Sequence, residues 1–106
     1  MDAYTIEELA RRAGASGERY HEFLRVPALS AGIYRLAAGA TDPQSPHGED
    51  ELYYVVTGRA RLAVGEEDVA VSAGSLVYVA ARVPHRFHAI DEDLTVLVLF
   101  APAESG

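Results

Sequence analysis

Hydrophobic and polar positions divide this chain into one helical segment followed by a long succession of short apolar runs. Near the N-terminus, Ile6, Leu9, Ala10 and Ala13 recur at helical spacing, so one face of residues 6–13 is apolar. Thr5 and Glu8 have the T-x-x-E spacing of a capping box at the start, and Gly14 offers a stop. From residue 20 onward the spacing changes. The runs RYHEFLRV, LSAGIYRLAAG, ELYYVV, RARLAV, VAVS, SLVYVA, HRFHAI and LTVLVLFA are rich in Val, Ile, Tyr and Phe. Breaks of Gly, Pro, Asp and Ser separate them: Pro27, Gly39, Thr57-Gly58, the turn GEED (65–68), Ala73-Gly74, Arg82-Val83-Pro84, Asp91-Glu92-Asp93 and Pro102. Short strands recurring about every ten residues with turn signals between them predict an antiparallel sandwich or barrel. The expected organisation is a helix and lead-in over residues 1–19, then one barrel domain over 20–106, with the final AESG frayed.

Composition narrows the function classes. With 106 residues, 49% of them hydrophobic, the chain has material for one core and none for a second. Acidic residues number 16 against 9 basic, a formal charge of −7. A basic face for nucleic acid or anionic membrane is therefore not expected. The absence of cysteine excludes disulfides, thiolate metal ligands and cysteine nucleophiles. The opening MDAYTIEELARRAG lacks the basic and apolar regions of a secretory signal, and no apolar run reaches the ~20 residues of a membrane span, so a cytoplasmic location is expected.

Candidate chemistry concentrates in SPHGEDELYYVVTG, residues 45–58. His47 precedes Glu51 by four positions, and Glu51 is separated by six residues from Gly58. Further on, GSLVYVAARVPH places His85 eleven residues after Gly74. This combination resembles the cupin superfamily, whose first motif is G-x5-H-x-H-x3,4-E-x6-G and whose second is G-x5-P-x-G-x2-H-x3-N. Glu51 and Gly58 fit the E-x6-G portion, His47 falls on the second histidine, and Gly74 and His85 fit the second motif. Gly39 stands for the first glycine. The departures are specific: Ser45 occupies the first histidine position, with Gln44 beside it. Ala80, Arg82 and Ala89 replace the proline, glycine and asparagine of the second motif.

The resemblance covers roughly residues 30–100. It implies an all-β fold, an antiparallel double-stranded β-helix (jelly-roll) barrel with a short N-terminal helix. It also implies one divalent metal ion, Fe, Mn, Ni, Cu or Zn, held by His47, Glu51 and His85. Imidazole nitrogens and a carboxylate suit all five metals. Gln44, Ser45 or Glu49 would complete the set. Family chemistry would be oxygenation, isomerisation or cyclisation of a small organic molecule. Small members commonly form homodimers through N-terminal strands, which makes RYHEFLRV the candidate here.

Strand parity refines the list. Side chains two apart share a face, so Tyr53 and Val55 should line the barrel with Glu51, and Phe87 with His85. Tyr53 becomes the candidate proton donor. His88 falls on the opposite face from His85, and His21 has no partner at metal spacing. Arg35 would orient a substrate carboxylate if it faced inward. The plainer alternatives are that Glu51 is a solvated strand-boundary residue, that His85 is a packed core histidine, that His47 is an exposed loop residue and that Tyr53 and Phe87 merely fill the barrel. A non-catalytic small-molecule-binding or sensing barrel is the second functional reading, favoured by the missing first-motif histidine.

Overall fold

A computed structural model describes residues 1–44 and 46–105; Ser45 and Gly106 lie outside the described residues. The elements are α1 (Ile6–Ser16), β1 (Tyr20–Val26), β2 (Leu29–Leu36), β3 (Asp50–Val64), β4 (Glu67–Ser72), β5 (Leu76–Val79) and β6 (His85–Ala101). All strand pairings are antiparallel, in the order β1-β2-β6-β3-β4, with β5 paired to β3. This is a double-stranded β-helix barrel with one N-terminal helix.

Helix α1 starts where the sequence places it. The Thr5 hydroxyl accepts the Glu8 backbone N–H at 3.2 Å, while the Glu8 carboxylate turns to Arg12 at 3.0 Å instead of closing the box. Its stop is Gly17, not Gly14: Gly17 has φ 70° and donates its N–H back to the Gly14 carbonyl. Leu9 and Ala13 are buried with Ile33 in a small cluster, against which Ile6, Phe23 and Leu97 pack on the outside of the barrel.

Eight apolar runs become six strands. ELYYVV and RARLAV join as β3, and HRFHAI and LTVLVLFA join as β6, so two predicted turns are bends within long strands. The β3–β6 register shifts in steps between Val55 and Arg61, which lets one continuous pair bend around the core. Gly58, with φ 102°, sits in that bend. A side chain there would run into the Asp93 carbonyl oxygen and the Leu94 backbone, so the Thr57-Gly58 signal marks a close crossing of two strands. By contrast, the turn expected at GEED is a hairpin turn of two residues, Gly65 and Glu66; Glu67 and Asp68 already belong to β4, with Val64 paired to Glu67.

The main core is drawn from β2, β3, β4, β5 and β6 and includes Tyr34, Leu36, Tyr53, Val55, Leu62, Phe87, Leu94, Val96, Val98 and Phe100. Alternation in β3 puts Glu51, Tyr53 and Val55 inside together, at 2%, 1% and 1% exposure. Burying a charged group among such neighbours is expensive unless something compensates it.

Candidate metal site

His47 lies in the loop between β2 and β3, Glu51 on the second residue of β3, and His85 on the first residue of β6. The two segments carrying the histidines are tied together. Arg82 donates its backbone N–H to the His47 carbonyl at 2.6 Å, and Ala81 donates to the Asp50 carboxylate at 2.8 Å. Arg82 occupies the position where the second cupin motif has glycine, and its φ of 66° is the left-handed conformation that a glycine there would take without strain.

One ligand-capable atom from each of His47, Glu51 and His85 lies within 4.8 Å of the others. His85 Nε2 stands 3.0 Å from Glu51 Oε1, and His47 Nε2 stands 3.8 Å from the same oxygen. Both Glu51 oxygens and His85 Nε2 are fully buried, yet none has a hydrogen-bond partner among the described residues. The three inner atoms therefore lie close enough together to share one ion. Ligand atoms about 2.1 Å from an ion and at right angles around it stand about 3.0 Å apart, so the donor set fits a first-row divalent metal.

The outer ring nitrogens are also arranged for ligation. His85 Nδ1 lies 2.8 Å from the Val83 carbonyl, which can only accept, so the Nδ1 proton is directed there and Nε2 is left with its lone pair inward. His47 Nδ1 lies 3.2 Å from the Glu104 carboxylate. With its proton on that side, His47 Nε2 also faces Glu51. The edge of the His47 ring packs on Phe100, with centroids 5.0 Å apart.

Desolvation lowers the His85 pKa, but the Glu51 carboxylate and the Val83 carbonyl outweigh it and leave the pKa raised. Burial raises the Glu104 pKa, and nearby Glu51, Glu49 and Glu22 add to this against the opposing pull of His47.

A second layer of polar residues supports this cluster. Buried Asp42 accepts hydrogen bonds from the Tyr34 hydroxyl, the Gln44 side-chain amide at 2.7 Å, the Gln44 backbone N–H at 3.3 Å and the Phe87 backbone N–H at 2.9 Å. With its amide so held, Gln44 turns Oε1 toward Tyr53, whose hydroxyl donates to it at 2.9 Å, and toward His47 Nε2 at 3.4 Å. Burial, with Glu51 beside it, pushes the Tyr53 pKa far up, so this phenol keeps its proton. A cavity of about 130 Å³ opens in front of the cluster, lined by Tyr20, Tyr34, Gln44, Tyr53, Val98 and Phe100 besides His47, Glu51 and Glu104.

The structure thus brings His47, Glu51, His85, Tyr53 and Gln44 together. Ser45 lies outside the described residues. Glu49 is buried but stays out of the three-residue cluster, because β3 begins at Asp50 and the strand alternation does not extend back to it; its carboxylate accepts from the Ser105 hydroxyl at 2.7 Å. His88 faces outward and pairs with Asp68 at 2.8 Å, as parity requires. Arg35 is exposed and donates to the Ala13 carbonyl of α1 at 3.2 Å, so it has no part in the cavity. The C-terminal residues described are fastened rather than frayed. Glu104 donates its N–H to Ser30 Oγ at 2.9 Å and accepts from Arg25 through its carbonyl at 2.8 Å.

Sequence reasoning missed Asp42, Glu104, Tyr20 and Tyr34. Only Tyr20 carried an indirect signal: the glycine inside LSAGIYRL marks a strand position that another group approaches closely.

A double-stranded β-helix barrel with a His-Glu-His cluster at one end of its core defines the class, and the cluster is consistent with a metal site. The family model described as Cupin domain matches residues 32–101, so the chain belongs to the cupin family. It is 50% identical over 105 residues to an uncharacterized protein of Streptomyces coelicolor, covering 99% of this chain and 100% of that protein. Among solved structures it is similar to TT1209 from Thermus thermophilus, with a TM-score of 0.75 and 25% identity over 97% of this chain and 99% of the other. It is similar also to KdgF from Halomonas sp., with a TM-score of 0.71 and 25% identity over 78% and 76% of the two chains. An RmlC-like cupin of Methanocaldococcus jannaschii shares the double-stranded β-helix at a TM-score of 0.71 and 18% identity, over 78% of each chain. Among the described residues no helix is long and apolar enough to cross a membrane.

Proposed function

We propose that this cupin binds one divalent metal ion through His47, Glu51 and His85 and uses it to transform a small organic molecule in the adjoining cavity. The observation that carries this reading is the buried convergence of Glu51 and His85, 3.0 Å apart with their inner atoms lacking hydrogen bonds among the described residues. When bound, such an ion supplies Lewis-acid polarisation of a substrate oxygen or, for a redox-active metal, electron transfer. The chain's own groups do the rest. The Val83 carbonyl and Glu104 fix the histidine tautomers, Asp42 holds Gln44, and Gln44 Oε1 is the oxygen placed to complete the ligand set. Tyr53 holds a proton at the cavity wall, in hydrogen-bond contact with Gln44. The apolar walls, Val98 and Phe100, limit water around the reacting molecule. Oxygenation, isomerisation and cyclisation are the reaction types this arrangement would serve.

The non-catalytic ligand-binding barrel is the second reading, favoured by serine in place of the first-motif histidine. The two separate on turnover. Metal-loaded wild type and His85→Ala would be incubated with a library of small carbonyl and hydroxy compounds, with product formation followed by NMR and dioxygen uptake by electrode. Turnover that His85→Ala abolishes with the fold intact supports the enzyme. Binding without turnover under any metal leaves the sensor in front. We propose further that the protein pairs as a homodimer through β1, whose outer edge is unpaired within the sheet among the described residues. Light scattering on wild type and a Leu24→Pro variant tests this, with a single-chain mass for wild type counting against it.

A further inference from the structure

Three tyrosines line the cavity, and the hydroxyls of two are already committed: Tyr34 to Asp42 and Tyr53 to Gln44. The third, Tyr20, has a fully buried hydroxyl with no hydrogen-bond partner among the described residues. Buried polar groups of native proteins are satisfied in the large majority, so an exception outside the metal cluster that lines a cavity calls for a missing partner.

The chain makes room for this hydroxyl at some cost. Gly32 sits in the middle of β2 between buried neighbours, where glycine is conformationally unfavourable. A Cβ at Gly32 would overlap the Tyr20 ring and its hydroxyl. Tyr20 therefore lies flat across the bare backbone, and Tyr34 and Phe100 hold it from the sides at centroid distances of 6.4 and 6.3 Å. Burial, with Glu104 next in effect, pushes its pKa well above the ordinary phenol value, so it stays neutral and able to donate.

The remaining lining limits what that partner can be. Two carboxylates, Glu51 and Glu104, face the cavity with no arginine among the described lining residues, and the chain contains no lysine. In the metal-free protein, His47 is thus the one ionisable base among the described lining residues that a carboxylate or phosphate would meet, and it already faces Glu104. The volume of about 130 Å³ is that of a small-molecule site; one water needs about 10–15 Å³ by the same measure.

We infer that Tyr20, laid over Gly32, is the specificity-determining hydrogen-bond donor of this cavity, and that it donates to an oxygen of a small hydroxy or carbonyl compound. This rests on the reading of the cavity as the substrate side of a metal site. The ligand lies between the Tyr20 hydroxyl and the His47–Glu51–His85 cluster, against Val98 and Phe100.

The test is a ligand-observed NMR titration of hydroxyacetone, 1,2-propanediol and catechol, with pyruvate as the charged counterpart. It is run on zinc-incubated and EDTA-treated wild type and Tyr20→Phe, with metal content and melting temperature measured in parallel. The expected result is that at least one uncharged probe binds wild type and weakens about five- to tenfold in Tyr20→Phe, with metal content unchanged and the ligand-free melting temperature not lowered, since the variant removes an unpartnered buried hydroxyl. In EDTA, where Glu51 and Glu104 are the charges facing the cavity, pyruvate should bind more weakly than hydroxyacetone. Equal binding to wild type and Tyr20→Phe, preference for pyruvate in EDTA, or no binding of any uncharged probe would overturn the inference. Metal content keeps the two claims apart. Zinc retained with no effect of Tyr20→Phe defeats the role of Tyr20 alone. Zinc absent while Tyr20→Phe still weakens the probe defeats the metal reading alone.

Discussion

Replacing Glu51 by glutamine should stabilise the metal-free protein and abolish its response to metal. Both Glu51 oxygens are buried without hydrogen bonds among the described residues, and the residue is 2% exposed. An unpartnered buried polar group costs about 1–3 kcal/mol, and more when charged. Glutamine keeps the shape, removes the charge, and brings an amide N–H within reach of His85 Nε2, now 3.0 Å from Oε1. The net gain for Glu51→Gln is therefore about 1–3 kcal/mol. With an unfolding entropy of about 2 cal/mol/K per residue, that is a rise in Tm of roughly 5–13 °C for a domain of this size.

The gain depends on pH in a definite direction. The His85 pKa is raised in the folded protein, so its protonated form contributes stability below the unfolded value of about 6.5. That contribution is lost as pH rises through the folded pKa. Well above the folded pKa of His85 the wild-type carboxylate is thus uncompensated and the advantage of Glu51→Gln is largest; toward about pH 6, below the unfolded value, it shrinks. Metal reverses the ranking. At a hundred times Kd, an ion that binds only the folded state adds about 2.7 kcal/mol to wild type and far less to the variant. Differential scanning fluorimetry in EDTA and in excess manganese or zinc, in both pH regimes, reads all of these shifts. A Glu51→Gln protein that melts lower than wild type in EDTA at the higher pH would refute the reasoning, because it would mean that the carboxylate is already satisfied by the protein.

Other substitutions probe the supporting groups. Glu104→Gln should weaken metal binding about 10–100-fold by isothermal titration, since it loosens the tautomer of His47 without removing a ligand. Asp42→Ala should cost about 3–5 kcal/mol in urea unfolding, because it strands the Tyr34 hydroxyl, the Phe87 N–H and the Gln44 amide. Gly32→Ala should destabilise by about 1–3 kcal/mol through its overlap with the Tyr20 ring, and most of that loss should vanish in a Tyr20→Ala background.

What the sequence disclosed is what local pattern can encode. Period-two alternation places Glu51, Tyr53 and Val55 inside, separates Phe87 from His88, and needs no knowledge of the rest of the chain. The spacing of His47, Glu51, Gly58, Gly74 and His85 carries the barrel and its cluster, because those glycines and strand ends set where three side chains can meet. The joining of runs into β3 and β6 was hidden because Gly58 and Asp91-Glu92-Asp93 have turn composition. Pairing across two bent strands, not local propensity, keeps them extended. The partners of the site were hidden for a similar reason. Glu104 reaches His47 from the far end of the chain, and Asp42 reaches Phe87 across 45 positions, contacts created only when the barrel closes. Gly17 rather than Gly14 ends α1 because the helix continues until a left-handed residue can fold back on it.

The central claim, that His47, Glu51 and His85 hold one divalent metal ion, is tested most directly by elemental mass spectrometry of untagged protein. The purified protein is measured as isolated and after incubation with Fe(II), Mn(II), Ni(II), Cu(II) or Zn(II), beside His47→Ala and His85→Ala variants of verified fold. The account predicts close to one equivalent of a single metal in wild type and its loss in both variants. Wild type that takes up no metal under any of these conditions, or variants that retain it fully, would contradict the account.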